Sequence, residues 1–161
     1  MIKYISFVII AFSSLSSNCQ QLKIKDLLDC VDRDYSYFET KVTENSFQYF
    51  KHYSEEYYES YHYAYNRTSS NKSTNFVAWK TWKNGLKLIY YQTTSNQEYI
   101  SLKNEMKILG FKFKNMYTFN EQQCLYYGNT KIEITIVTGD AGNGITFYEF
   151  SFKKIRKLLV K

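Results

Sequence analysis

The chain has no proline, two histidines and three cysteines among its 161 residues, and these scarcities limit the chemistry it can carry. The histidines, His52 and His62, stand ten positions apart, and no group of His, Cys, Asp and Glu has the spacing of metal ligands. No serine lies in a G-x-S-x-G setting, and no cysteine has a recognisable catalytic signature. We therefore expect no metal or other cofactor, and the sequence specifies no enzymatic reaction.

Long apolar runs are also scarce. The longest, YISFVIIAF at positions 4–12, is too short to span a bilayer as a helix. It follows the positive charge of Lys3 and precedes SSLSSNCQQ, which is the order of a secretory signal peptide. We predict that residues 1–19 are a signal peptide and that the protein is exported, as a periplasmic, secreted or lipid-anchored protein.

The cysteines bear on this prediction. Cys19 is either the lipid attachment site of a lipoprotein or the neighbour of an ordinary signal peptidase cleavage site, and the sequence leaves both routes open. After processing, Cys30 and Cys124 remain in the chain. An oxidising compartment would permit a disulfide bond between them.

The composition predicts a globular domain. Hydrophobic residues make up 44% and charged residues 22% of the chain, and its length suits a single domain, residues 20–161. The net charge is +6, and nucleic acid is a poor partner for an exported chain without a nucleic-acid-binding motif. A basic C-terminal tail could touch an anionic membrane surface. The basic residues of this tail are Lys153, Lys154, Arg156, Lys157 and Lys161.

Two stretches, residues 34–50 and 98–114, share one pattern at a constant offset, here called the repeat offset, which takes Tyr35 to Tyr99. Each begins with apolar residues spaced i, i+3, i+7, which predicts a helix. Ser46 and Gly110 then end these helices as residues that tolerate positive φ, and alternating aromatic residues predict a strand after each. The apolar stripes are Tyr35, Phe38 and Val42 in the first stretch and Tyr99, Leu102 and Met106 in the second.

Each copy continues as an antiparallel meander, with hairpin turns at Asn84-Gly85 and at residues 139–144. A short helix at residues 22–31 precedes the first copy. We therefore predict an α+β fold made of two tandem repeats, about residues 34–93 and 98–153, each a helix followed by a meander. Together they would form one sheet of roughly six to eight strands with both main helices on one face. Further strands are predicted at residues 60–66, 76–83, 86–93, 124–130, 131–138 and 145–153.

The run YESYHYAYN places a tyrosine at every second position, at Tyr61, Tyr63 and Tyr65. Such a row is either a platform of exposed rings that stack on a sugar or one side of a core. At the repeat offset Tyr61 corresponds to Leu125, which is expected to be buried. Because alternate residues of a strand share one face, we predict that these tyrosines pack under the helices.

The candidate binding site lies on the strands of the first copy. In residues 76–83, Val77 and Trp79 share one side and Ala78 and Trp82 the other, so one of the two tryptophans is expected on the face away from the helices. The alternative is that the site is covered by the loop at residues 67–75 or by a second copy of the chain. We predict an exposed aromatic-basic patch made of Trp79, Trp82, Lys87, Ile89 and Tyr91.

The segments EYISLKNEMKILGFKF, residues 98–113, and ITFYEFSFK, residues 145–153, resemble those of small exported proteins that are common in AT-rich Gram-negative bacteria. The resemblance covers residues 85–153 best. It implies a location in the periplasm or at the cell surface. It implies no activity and no functional residues.

These observations favour a non-catalytic binding module that recognises a protein or a cell-envelope component through the helix-free sheet face or an edge strand. Two alternatives stay open. One is a periplasmic immunity or inhibitor protein that acts against a toxin or hydrolase. The other is a small envelope enzyme that uses His62 or scattered carboxylates, and a carboxylate within hydrogen-bond reach of His62 in one pocket would favour it.

Overall fold

The computed structural model describes residues 22–65 and 73–155. The predicted signal peptide with Cys19, the loop residues 66–72 and the end of the basic tail from residue 156 lie outside these ranges. Within the described ranges, no helix is long and apolar enough to cross a membrane.

The described residues form three helices and eight strands. Every helix and strand predicted from the sequence is present, with small shifts at the ends. The helices are α1 (Ile24–Asp32), α2 (Tyr35–Glu44) and α3 (Asn96–Ile108). The strands are β1 (Gln48–Ser54), β2 (Tyr58–Tyr65), β3 (Asn75–Trp82), β4 (Lys87–Thr93), β5 (Lys112–Phe119), β6 (Gln122–Gly128), β7 (Ile132–Asp140) and β8 (Thr146–Lys154).

The eight strands form one antiparallel sheet in the order β1-β2-β3-β4-β8-β7-β6-β5. Each half of the chain contributes a four-stranded meander, and the two meanders join where β4 pairs with β8. The three helices pack on one face of the sheet, and a single core cluster unites Leu27, Phe38 and Leu102 of the helices with Tyr63 and Ile134 of the strands. The predicted α+β class, with an antiparallel sheet and its helices on one face, is confirmed.

Helices α2 and α3 end in the same way. Ser46 and Gly110 have φ values of 64° and 80°, the left-handed conformation that lets the chain leave a helix. In both helices the backbone N–H of the following residue donates to the carbonyl five positions before it, at 3.0 Å. The prediction that these two positions end helices with positive φ is confirmed.

The two meanders share a detail of register. Gln48 of β1 pairs with Ala64 of β2, and at the repeat offset Lys112 of β5 pairs with Gly128 of β6. A β-bulge follows Tyr49 in β1, and another follows the corresponding residue of β5, Phe113. Duplication of one ancestral unit would produce such a match, and duplication itself stays a prediction.

The alternating tyrosines of β2 lie on the helix side of the sheet. Tyr63 is 1% exposed, and its hydroxyl oxygen lies 2.7 Å from that of Tyr35 and donates to Glu39 Oε1 at 2.9 Å. Tyr61 and Tyr65 pack around the same core. Each ring thus fills the core while the hydroxyl of Tyr63 finds polar partners, as buried tyrosines require. The interpretation of this row as core is confirmed.

A buried carboxylate joins α3 to the sheet. Glu98, in the first turn of α3, is 3% exposed, and its N–H donates to the side chain of the N-cap residue Ser95 at 3.2 Å. Its carboxylate accepts hydrogen bonds from Asn75 Nδ2 at 2.8 Å, from Thr93 Oγ1 at 2.6 Å and from the hydroxyl of Tyr91. These bonds fix the start of α3 against β3 and β4.

Helix α1 lies across the join between β4 and β8 and contacts both strands. At its C-terminal end, Asp32 Oδ1 lies 2.6 Å from Lys154 Nζ of β8. At its N-terminal end, the backbone N–H groups of Ile24 and Lys25 donate to the carboxylate of Glu105 in α3, at 3.0 and 3.2 Å. Elements from both halves of the chain therefore hold α1 in place.

The disulfide bond that an oxidising compartment would permit between Cys30 and Cys124 does not form. Cys30 faces the core from α1, whereas Cys124 alternates with Leu125, which packs on the core, and so lies on the other face. The sheet stands between the two thiols, and both cysteines are free. Burial, followed by the negative charges of Asp26 and Asp29, raises the pKa of the Cys30 thiol to about 12.

Candidate binding site on the helix-free face

The predicted aromatic-basic patch does not form. Three of its residues lie in the core, where Trp79 is 4% exposed and Ile89 and Tyr91 are fully buried. Their strands alternate so that this set faces the helices, and the rings of Tyr35 and Phe38 lie 6.1 and 5.5 Å from the Trp79 ring, centroid to centroid. The prediction that these three side chains are exposed is wrong, because α2 covers the side of β3 that carries Trp79.

The other two residues of the predicted patch lie on opposite faces of the sheet. Lys87 is on the helix side, where its Nζ donates to the carbonyls of Arg33 and Val31 and lies 4.3 Å from the ring centroid of Trp79. The ammonium group of Lys87 thus binds the carbonyl groups at the C-terminal end of α1, where the helix dipole favours a cation. Burial lowers the pKa of Lys87. Trp82 lies on the helix-free face, as predicted for one of the two tryptophans.

The helix-free face carries a cleft of about 440 Å³ over β2, β3 and β4, here called the first cleft. Its floor is made of small side chains, Ser60 and Ala78, which are 3% and 5% exposed although they lie on the face away from the helices. Tall aromatic side chains stand around this floor, and a volume of this size is typical of ligand sites. These aromatic residues are Tyr53, Tyr58, Phe76 and Tyr90.

One end of the first cleft holds a serine–histidine pair. Ser60 Oγ lies 2.7 Å from His62 Nε2, and the ring of Tyr53 packs edge-on against the imidazole at a centroid distance of 5.1 Å. Burial, followed by the positive charges of Lys80 and Lys51, lowers the pKa of His62. The imidazole is therefore neutral at pH 7 and offers a hydrogen-bonding group to a ligand.

The positive charge at this end belongs to Lys80 of β3, which also lines the first cleft. Its Nζ lies 3.7 Å from the ring centroid of Tyr58 and 4.8 Å from that of Trp82. Cation–π attraction of this kind contributes about 0.5–2 kcal/mol and holds the ammonium group in place. No carboxylate in the described part of the chain forms an ion pair with Lys80, so its charge is available to a ligand.

The opposite end of the first cleft holds Glu149 of β8, which stands opposite Gln92 of β4 in the strand pairing. Burial raises the pKa of the Glu149 carboxyl group. Burial and the charge of Glu149 raise the pKa of the neighbouring Tyr90 to about 12. Across residues 22–65 and 73–155, no lysine or arginine forms an ion pair with Glu149. The first cleft thus has a cationic end and an acidic end.

The first cleft does not bring His62 together with the carboxylate of Glu149. Strand β2, which carries His62, is separated from β8, which carries Glu149, by β3 and β4. The two residues therefore lie three strand spacings, about 14 Å, apart across the sheet. Direct proton transfer needs heavy atoms about 2.6–3.2 Å apart. Among the residues whose structure is described, no group of three or more His, Cys, Asp and Glu could hold a metal ion.

A second cleft of about 450 Å³ lies on the same face, over β4 to β8. Its lining matches that of the first cleft by position in the meander. At the repeat offset, Tyr117 and Tyr126 of the second cleft correspond to Tyr53 and His62 of the first. The helix-free face therefore offers two clefts at corresponding places, one in each half of the sheet.

The two clefts differ in their charges. In the second cleft Lys153 Nζ lies 3.7 Å from Glu133 Oε2, so its cation and its carboxylate pair with each other. A hydrogen bond to Glu133 raises the pKa of Tyr126 to about 12. In the first cleft Lys80 and Glu149 stand apart. The second cleft therefore occupies the corresponding place in the other half of the sheet, but its lysine and glutamate form an ion pair with each other.

Strand β5 offers a different surface at the edge of the sheet. Each of its side chains is exposed, and Phe113, Met116 and Phe119 are 55%, 56% and 62% exposed. An edge strand has unpaired backbone groups that can pair with another strand. This edge carries apolar side chains but none of the opposed charges of the first cleft.

No family model, curated protein or solved structure matches this chain. The resemblance to small exported proteins therefore stays a prediction from the sequence.

Proposed function

We propose that this protein is a non-catalytic binding module that recognises a protein or a cell-envelope component, and that the first cleft is its binding site. The observation that carries this proposal is the pair of half-buried, unmatched charges, Lys80 and Glu149, at opposite ends of one aromatic-walled cleft. Partial burial of a charged side chain that has no oppositely charged partner is unfavourable in free energy. A bound ligand of complementary charge reduces that cost.

Export is part of the same proposal. The predicted signal peptide at residues 1–19 would deliver the module to the cell envelope, with or without a lipid on Cys19. A periplasmic immunity or inhibitor protein would be one form of this binding role. The distance between His62 and Glu149 supports a binding role over that of an envelope enzyme.

The test is capture from envelope extracts with a variant that fills the first cleft. The variant Ala78→Leu places a larger side chain on the cleft floor. Thr135 lines the second cleft and pairs with Tyr126 and Ser151, so Thr135→Leu is the matched control. We expect wild type and Thr135→Leu to capture the same component and Ala78→Leu to lose it. Equal capture by both variants, with both shown to be folded by circular dichroism, would refute the proposal.

A further inference from the structure

The charges of the first cleft define a direction across the helix-free face. Lys80 of β3 stands level with Leu88 of β4 and Lys153 of β8, and Glu149 lies four positions away from Lys153 along β8. Glu149 therefore lies two strand spacings across the sheet and four positions along it from Lys80. The distance between their Cα atoms is about 17 Å. Tyr90 of β4 lies between these two charged residues.

This distance matches a short extended peptide. Four extended residues span about 13–14 Å, and a hydrogen bond of about 3 Å at each end brings the total close to about 20 Å. The ammonium group of Lys80 leans toward Tyr58 and Trp82, which lengthens the gap beyond the Cα distance. A ligand of about four residues can therefore reach both charges.

We propose that the first cleft binds a peptide of about four residues with free termini, its ammonium group at Glu149 and its carboxylate at Lys80. This rests on the proposed function and names the ligand of the same cleft. Charge-assisted hydrogen bonds at both ends would fix the peptide's direction. Its side chains would pack on Tyr90 and Phe76, and its amide groups would meet Ser60, His62 and Gln92, all of which line the cleft.

Other classes of ligand match this cleft less well. A neutral sugar would cover Lys80 and Glu149 without neutralising either charge. A phosphate or a simple cation would neutralise one of these two charges and leave the other, about 17 Å away, without a partner. A ligand with one charge of each sign at its two ends is complementary to both. The limited volume of about 440 Å³ favours a short free peptide over a longer chain with charged side chains.

The test measures binding of tetra-alanine to the full chain by calorimetry, in three forms: with free termini, N-acetylated and C-amidated. For wild type, we expect each blocking group to weaken binding at least tenfold. For Glu149→Gln, acetylation should change the dissociation constant less than twofold while amidation still weakens binding. For Lys80→Met, the reverse should hold. Glu133→Gln and Lys153→Met in the second cleft are the matched controls, and both should behave as wild type.

Several results would overturn the inference. One is a lack of tetra-alanine binding. Another is equal binding of the free and blocked forms by wild type. A third is preferential binding of acetyl-Lys-Ala-Ala-Glu-amide, which would assign the charges to side chains of a longer protein segment. If the inference fails but Ala78→Leu still abolishes capture from envelope extracts, the proposed function stands without this ligand. If Ala78→Leu also leaves capture unchanged, both fail.

Discussion

The contact of α3 with the sheet depends on Glu98, and removing its buried carboxylate should destabilise the protein. Glu98→Ala removes three hydrogen bonds. The buried donor groups of Asn75 and Thr93 then lose the carboxylate oxygen that accepts from them. A hydrogen bond to a charged group contributes about 1.5–3 kcal/mol, and part of this returns when the donors find other partners. We expect the free energy of unfolding to fall by about 3–5 kcal/mol.

For a domain of this length the loss corresponds to a fall in Tm of about 10–15 °C. The assay is urea unfolding followed by circular dichroism, with the m-value checked to confirm that the same surface unfolds. Glu98→Gln keeps the size of the side chain and one acceptor oxygen, so its loss should be about half as large. Glu44→Ala, an exposed position on α2, is the control and should change stability by about 0.5 kcal/mol or less. A loss for Glu98→Ala no larger than that of Glu44→Ala would refute the reasoning.

Three further predictions concern single positions. Cys30 should resist iodoacetamide at pH 8 in the folded protein and react after unfolding in urea, as peptide mapping would show, because its thiol has a pKa of about 12. Since the folded pKa is raised, its contribution to stability is present below the unfolded pKa, near 9, and is lost as the pH rises toward 12, a loss that Cys30→Ala should abolish. Gly139→Ala should cost about 1–3 kcal/mol in urea unfolding, since a Cβ there would lie 2.5 Å from an aromatic ring, whereas Gly128→Ala, with contacts of 3.6 Å or more, should cost less than about 1 kcal/mol. Ser46→Gly should stabilise the protein by up to about 1 kcal/mol and Gly110→Ser should destabilise it by a similar amount, since both positions have positive φ; changes of the opposite sign would contradict this.

The helix ends and the core tyrosines could be predicted because the signals are local. Ser46 and Gly110 stand where the apolar period changes from that of a helix to that of a strand, and a chain that turns there needs positive φ. Tyr61 and Tyr63 could be assigned to the core because alternation in a strand ties them to Leu125 and Tyr127 at the corresponding place.

The binding patch could not be predicted, because both sides of β3 carry a tryptophan and alternation does not say which side the helices cover. A lysine at position 87 suggested an exposed face, yet its ammonium group donates hydrogen bonds to carbonyls at the C-terminal end of α1. This contact joins parts of the chain that lie far apart in sequence, so no local pattern predicts it. The acidic end of the first cleft depends on Glu149, which reaches the first half of the sheet only through the pairing of β4 with β8. No local pattern encodes that pairing, although the small residues Ser60 and Ala78 on the alternate positions of β2 and β3 were a usable signal for a concave face.

The position of α1 has a consequence for how the chain reaches its native state. The helix forms near the start of the chain, but its partner Lys154 follows 122 residues after Asp32. Contacts between such distant parts of a chain form late and slow the folding reaction. A polypeptide released before β8 would keep the apolar side of α1 and the backbone edge of β4 uncovered, and we expect such incomplete chains to be degraded or to aggregate before they assemble.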